Sequence, residues 1–158
     1  MTAVDVSDPH DIESPFATHF TATSKSFASS SSEGLRFSPF GQRQSFVEAY
    51  AQLSRRALPE RLPVPQRTVV ESTVALPAGW SATLPEGAHE LGPQGEYTVA
   101  WSQQDGKVTA RLELSLNGGL LKPMDYPAFR AFLGRLDAAL LRKVVAAPAV
   151  KTAVNERH

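Results

Sequence analysis

Hydrophobic and polar residues alternate in two runs near the middle of the chain. Apolar side chains occupy every second position over residues 97–101 and again over residues 108–116. Successive side chains of a β-strand point to opposite faces, so this alternation predicts two strands that each bury one face. Asp105 and Gly106 lie between the two runs, and glycine readily adopts the positive φ of a tight hairpin turn. The pattern therefore predicts a β-hairpin over residues 96–116.

Shorter extended segments flank the predicted hairpin. Alternating and β-branched residues predict strands at residues 16–27, 35–38, 68–76 and 80–84. The serine-rich residues 29–34 and the glycine- and proline-containing residues 86–95 are predicted to be loops. Pro59, Pro63 and Pro65 predict an extended connector, because proline fixes φ and lacks a backbone donor.

Two segments change to helical spacing. The apolar residues between positions 46 and 53 follow Ser45, a possible N-cap, and predict a short internal helix. A longer apolar stripe over residues 126–145 predicts an amphipathic helix near the C-terminus. Asp125 stands at its N-cap position, and Pro127 lies in the first turn, where its missing N–H is not needed.

These elements together predict a mainly β fold. The expected architecture is an antiparallel β-sandwich with a short internal helix and one C-terminal amphipathic helix. A chain of 158 residues is long enough for one such core. Residues 1–14, acidic and poor in apolar side chains, are predicted to be a flexible lead-in to a domain over residues 15–147. Pro148 is expected to end the helix, and residues 148–158 are predicted to be a flexible tail.

The composition narrows the classes of function. The 16 lysines and arginines balance the 16 aspartates and glutamates, so no positive excess points to a nucleic-acid partner. The chain has no cysteine, which excludes disulfides, thiolate metal sites and a cysteine nucleophile. No apolar run approaches the roughly 20 residues that span a bilayer, so membrane insertion is not expected. The first 13 residues also lack the basic and apolar regions of a secretory signal.

Few residues suggest a chemical site. The four histidines show no metal-ligand spacing, and the chain has no phosphate loop, nucleophile elbow or glycine fingerprint. No catalytic residue, metal or other cofactor is therefore predicted. His89 lies close in sequence to Glu86 and Glu90, so it could form an acid–base pair with one of them. In most proteins, however, a histidine beside loop carboxylates is simply solvated on the surface, and that interpretation is favoured here.

The two tryptophans are candidate stacking platforms for a sugar or a nucleobase. Trp101 shares the apolar positions of the hairpin, which favours packing in the core. Trp80 follows a turn glycine and is expected to be more open, although packing is still favoured. Trp80 and His89 are therefore the candidate ligand-binding residues.

Several short motifs occur in a recognisable order. Arg55-Arg56-Ala57-Leu58-Pro59 precedes a predicted strand that ends in Leu76-Pro77-Ala78-Gly79-Trp80, and Leu84-Pro85, Gly95-Glu96-Tyr97 and Tyr126-Pro127-Ala128-Phe129-Arg130-Ala131-Phe132 follow. This order resembles the C-terminal β-sandwich segment of bacterial transglutaminase-like proteins of the cell envelope, over about residues 16–145. In that family, a β-rich N-terminal domain and a papain-like transglutaminase core precede the segment.

The resemblance implies a role without catalysis. The family's Cys-His-Asp triad lies in the preceding core domain, and no residue of this chain matches a triad position. Nucleophilic acyl transfer requires a thiolate and its base, so the chain is not expected to be an enzyme. The expected function is an accessory domain that packs on a transglutaminase-like enzyme, positions it or recruits partners for it. The resemblance alone implies a periplasmic or cell-envelope location, with a cytoplasmic location as the alternative.

Two other classes of function stay open. The chain is alternatively an independent ligand-binding module for a carbohydrate or cell-wall polymer, using Trp80 and residues 86–95. A third hypothesis is a small hydrolase built around His89. The partner is expected to be a protein or the catalytic domain of a parent chain, and the oligomeric state is left open.

Overall fold

The computed structural model describes residues 3–6, 18–21, 26–41, 45–62 and 64–149. The helices are α1 (Phe46–Tyr50) and α2 (Tyr126–Leu140). The strands are β1 (Ala3–Val6), β2 (Thr18–Thr21), β3 (Ala28–Ser31), β4 (Gly34–Phe37), β5 (Glu60–Leu62), β6 (Gln66–Ala75), β7 (Trp80–Thr83), β8 (Ala88–Gly92), β9 (Gly95–Gln104), β10 (Lys107–Leu116), β11 (Gly119–Leu121) and β12 (Val144–Pro148).

The predicted hairpin forms the centre of a four-stranded antiparallel sheet, here called sheet I. Its strand order is β6-β10-β9-β8, and β10 pairs without interruption with both of its neighbours. The turn residues Asp105 and Gly106 have φ values of 50° and 70°. Two consecutive positive φ angles match the twist of the flanking strands, which is why Asp-Gly suits this turn. The hairpin prediction is confirmed.

Sheet I buries one face and exposes the other. The even-numbered residues from Val108 to Leu116 are buried, together with Tyr97 and Val99 of the adjacent strand. The opposite face carries Arg67, Glu71, Arg111 and Glu113. Two exposed ion pairs, Arg67–Glu113 and Arg111–Glu71, join β6 to β10, and a third, Arg111–Glu113, lies along β10. The hydrophobic alternation thus separates a core face from a solvent face.

Two layers share the buried face of sheet I. Sheet II has the antiparallel order β3-β4-β12-β7, and its Phe37, Val144 and Ala146 pack with Val108. Helix α2 packs on the remainder of that face through residues that include Phe129, Phe132, Leu133 and Leu136. The fold is therefore mainly β, with antiparallel sheets packed together, one short helix and one 15-residue helix, as the sequence predicted.

The C-terminal helix is shorter than predicted. It ends at Leu140, and β12 follows from Val144 to Pro148, where the sequence predicted helix to residue 145. Val144 is fully buried, and β12 pairs with β4 on one side and β7 on the other. This double pairing satisfies the backbone and favours β-branched valines in a strand. Pro148 therefore lies in the last strand and does not end the helix.

Helix α1 begins where the sequence predicted but has only five residues. Ser45 is its N-cap, and its hydroxyl accepts a hydrogen bond from the Glu48 amide. The Asp137 carboxylate of α2 accepts further hydrogen bonds from the Phe46 amide at 2.8 Å and the Val47 amide at 3.1 Å. A side chain distant in sequence therefore satisfies the first free amides of α1.

Two predicted loops contain strands. Strand β3 overlaps the serine-rich stretch and forms a hairpin with β4, where the Ser31 hydroxyl donates to the Gly34 carbonyl at 2.9 Å. Strand β8 lies within residues 86–95 and pairs with β9. In both cases, backbone pairing with a neighbouring strand outweighs weak local β-propensity.

Short strand pairs complete the described part of the chain. Strand β5 lies in the predicted proline-rich connector and pairs with β11. Strand β2 falls within the strand predicted at residues 16–27, and its partner β1 falls within the predicted lead-in. The other residues of the lead-in and those of the predicted tail beyond 149 lie outside the described residues. The domain limits at residues 15 and 147 stay a prediction.

Candidate functional site

His89 lies on the solvent face of sheet I. It belongs to the edge strand β8, and its side chain is 61% exposed. Its Nδ1 is 3.1 Å from the Thr98 hydroxyl, and its Nε2 is 3.6 Å from a Glu96 carboxylate oxygen. All three residues lie on the exposed face of the sheet, where Glu96 and Thr98 line only a shallow depression of about 120 Å³. This arrangement is the solvated surface that the sequence favoured.

Glu90 does not form the acid–base pair with His89 that the sequence offered as the less favoured alternative. Strand alternation turns Glu90 to the opposite face, where it accepts two hydrogen bonds from Arg135, at 2.6 and 2.8 Å, and one from the Tyr97 hydroxyl at 3.2 Å. The hydrogen bonds from Arg135 lower the pKa of Glu90, and burial raises the pKa of Tyr97. Glu90 therefore joins β8 to α2 and does not serve His89.

Trp80 and His89 face different parts of the molecule. Trp80 is half-buried and packs against the core between the two sheets, with Pro148 opposite it on β12. The Trp80 ring thus packs against the core, whereas the His89 side chain is exposed on the solvent face of sheet I. Their role as ligand-binding residues remains a prediction from the sequence.

Trp101 packs in the core, as expected. Its ring meets that of Phe40 edge to face, with centroids 5.3 Å apart. Its indole Nε1 is buried without a hydrogen-bond partner among the described residues. Trp101 is partly buried and packs against the core, which agrees with the packing role that the sequence favoured.

Within residues 3–6, 18–21, 26–41, 45–62 and 64–149, no three or more histidine, aspartate or glutamate side chains cluster closely enough to hold a metal ion. Neither described helix has the length and apolar character needed to cross a membrane.

An apolar groove lies at one end of sheet I. We call it the end groove; it has a volume of about 610 Å³ and is lined by Arg61, Leu62, Val64, Pro65, Gly118, Gly119 and Leu120. Val64 is 80% exposed and Leu120 is 62% exposed. The pairing of β5 with β11 brings the two walls together, with Leu62 opposite Gly119 and Leu120 opposite Arg61.

A fixed platform supports the end groove. Arg56 pairs with Glu60 at 2.7 Å and lies over the ring of Tyr126, 5.6 Å from its centroid. The Tyr126 hydroxyl donates to the Leu53 carbonyl at 2.9 Å. These contacts tie the segment before β5 to the first turn of α2. Because these contacts already hold the walls of the groove in place, the walls lose less conformational entropy when a partner binds.

The chemistry of the end groove suits a protein contact. Arg61 is its one charged lining residue, so it offers no acid–base pair. Two further exposed apolar residues, Leu58 and Met124, lie in the segments that flank β5 and β11. Sequence reasoning missed this surface, because the only available signal was a set of isolated apolar residues in turns.

A comparison with protein families gave one match. A family model described as a domain of unknown function with a solved structure (DUF3858) matches residues 35–146, more than two thirds of the chain. The matched segment runs from β4 to β12 and includes both walls of the end groove. Its description names no activity, substrate or partner. The curated proteins and the solved structures gave no match.

Proposed function

The chain belongs to the DUF3858 family of domains of unknown function, and on this premise we propose that it is a non-catalytic domain that docks onto a protein partner. The end groove carries the proposal, because Val64 and Leu120 expose apolar surface around a supported concavity. Burial of apolar surface drives most protein association, and exposed apolar patches commonly mark interfaces. In this proposal, the partner inserts an apolar side chain into the groove. It also supplies a hydrogen-bond acceptor for Arg61 at the rim of the groove.

The proposed partner is a transglutaminase-like enzyme, present as the catalytic domain of a parent chain or as a separate protein. The order of the motifs resembling that family supports this choice. The motif at residues 55–59 leads directly into β5, so one part of the resemblance adjoins the end groove. The location that goes with this proposal is the periplasm or the cell envelope, with the cytoplasm as the alternative.

The proposed domain contributes binding and no chemistry. The transglutaminase route requires a thiolate nucleophile and a base, and this chain has no cysteine. The hydrolase hypothesis lacks support, because His89 has an exposed side chain and lies on an open strand face. The carbohydrate hypothesis lacks support, because Trp80 packs between the sheets.

The binding test is calorimetric titration of the purified chain with transglutaminase-like catalytic domains encoded in the same genome. Leu120→Asp places a charge in the end groove and is expected to weaken binding by about tenfold or more. Leu91→Asp is the matched control, because Leu91 is 76% exposed on β8, outside the groove. The proposal fails if no domain binds, or if both variants bind as the unchanged chain does.

The catalytic test is an assay for transglutaminase, protease and esterase turnover by the purified chain. The expected rate equals the buffer background. Turnover that disappears in His89→Ala would overturn the non-catalytic assignment and favour the hydrolase hypothesis.

A further inference from the structure

Strand β6 forms one edge of sheet I along its full length. It has 10 residues, and among the described strands it pairs only with β10. One side of β6 therefore presents a row of backbone N–H and C=O groups that no described strand satisfies. Such a row is a template for an additional strand.

Strand β6 lacks several of the features that usually protect an edge. Its sequence contains neither proline nor lysine, and all ten of its residues pair one to one with β10, so it has no bulge. Its charged residues, Arg67 and Glu71, point away from the core. The other edge of the sheet, β8, is only five residues long.

The exposed positions of β6 are complementary to themselves. Arg67 and Glu71 lie two residues before and two residues after Val69, and the three share the solvent face. Val69 is 45% exposed. If two β6 strands pair antiparallel with Val69 opposite Val69, Arg67 of each copy faces Glu71 of the other, because directly opposed residues share a face. The same register places Thr68 opposite Val70 on the core side.

The ion pairs within one chain are compatible with this register. Arg67 contacts Glu113 at 2.9 Å, and Arg111 contacts Glu71 at 2.9 Å. All four groups are partly exposed, so each pair contributes little stability and leaves its members able to meet another partner. Backbone hydrogen bonds and the Val69 contact would supply the affinity, and the charges would fix the register.

We infer that β6 is a homodimerisation edge. Two copies of the chain pair antiparallel through residues 66–72 around Val69 and join their four-stranded sheets into one continuous sheet of eight strands. The contact is isologous, so it closes at two copies and leaves no further β6 edge open.

The test is sedimentation equilibrium of the full chain over a range of concentrations. The unchanged chain is expected to show a monomer–dimer equilibrium. Val69→Lys places a lysine at the twofold centre, and Glu71→Arg places like charges opposite each other. Each change is expected to weaken the dimer by about tenfold or more. Leu91→Lys on β8 is the control and is expected to leave the dimer constant unchanged.

A charge exchange tests the register itself. The double variant Arg67→Glu/Glu71→Arg restores opposite charges across the twofold axis and is expected to recover most of the affinity that Glu71→Arg loses. Circular dichroism of each variant verifies folding. A monomer at every concentration overturns the inference, and so does a dimer that Val69→Lys leaves intact but Leu120→Asp dissociates, since the copies would then meet through the end groove.

Discussion

At the scale of single residues, Gly92 allows α2 to approach the edge of sheet I. A Cβ atom at this position would lie 2.4 Å from Cδ2 of Phe132, and Phe132 is fully buried. Gly92→Ala is therefore expected to lower the free energy of unfolding by about 1–3 kcal/mol through overpacking. Urea denaturation measures the change.

Gly134 provides a matched control for that substitution. It lies within α2, and an added Cβ there would meet no atom closer than Val47 Cγ2 at 4.0 Å. Gly134→Ala is expected to raise stability by about 0.5–1 kcal/mol, because alanine favours helix interiors. If both variants lose a similar amount of stability, the loss in Gly92→Ala does not come from the close contact with Phe132.

Asp137 connects the two helices through one carboxylate. It accepts hydrogen bonds from the Ser45 hydroxyl and from the amides of Phe46 and Val47. Asp137→Asn removes the charge and is expected to cost about 1–2 kcal/mol in thermal unfolding. Asp125→Asn is the control, because the Asp125 side chain makes no cap hydrogen bond. Equal losses would refute this assignment of the α1 cap.

At the scale of elements, the β9–β10 hairpin separates core from surface most clearly. Leu112 is fully buried, whereas the neighbouring Arg111 forms exposed ion pairs with Glu71 and Glu113. Leu112→Ala is expected to cost about 2–5 kcal/mol, whereas Arg111→Ala is expected to leave the stability nearly unchanged, because its ion pairs are exposed. Chemical denaturation of both variants measures these changes. Comparable losses of the free energy of unfolding would contradict the assignment of Leu112 to the core face and Arg111 to the solvent face.

The link between β8 and α2 depends on pH. The hydrogen bonds from Arg135 lower the pKa of Glu90 in the folded chain, so this ion pair adds stability above the unfolded pKa, about 4.3. That stability is lost as the pH falls through the lower, folded pKa. Because the pair is partly exposed, the effect is about 1 kcal/mol or less. In Glu90→Gln, the free energy of unfolding is expected to fall less steeply as the pH is lowered below about 4.3. An unchanged pH dependence in this variant would contradict a stabilising role for the Glu90–Arg135 ion pair.

Elements with a strong local pattern could be predicted from the sequence. The hairpin followed from alternation and Asp105-Gly106, and the start of α1 followed from Ser45. Strands β3 and β8 could not be predicted, because their stability comes from pairing with β4 and β9 and their own residues favour loops. The predicted end of α2 was wrong because Val144 fits both a helical stripe and a buried strand. Pairing of β12 with β4 and β7 decides for the strand.

At the scale of the whole molecule, the candidate site arises from pairing between distant segments. The end groove exists because β5 and β11 meet, with Leu62 opposite Gly119. A sequence pattern within one segment cannot reveal such a surface, whereas the polar solvent face of sheet I was readable from alternation alone. His89 was identified as a candidate from its neighbours in sequence, but strand alternation places Glu90 on the opposite face.

The most direct test of the docking proposal is amide hydrogen exchange. The purified chain is compared alone and mixed with a transglutaminase-like catalytic domain that binds it. The account predicts slower exchange at residues 61–62 and 118–121, which line or adjoin the end groove, and no change at residues 88–92 of β8. Protection that appears at β8 and leaves both walls of the end groove unchanged would contradict it.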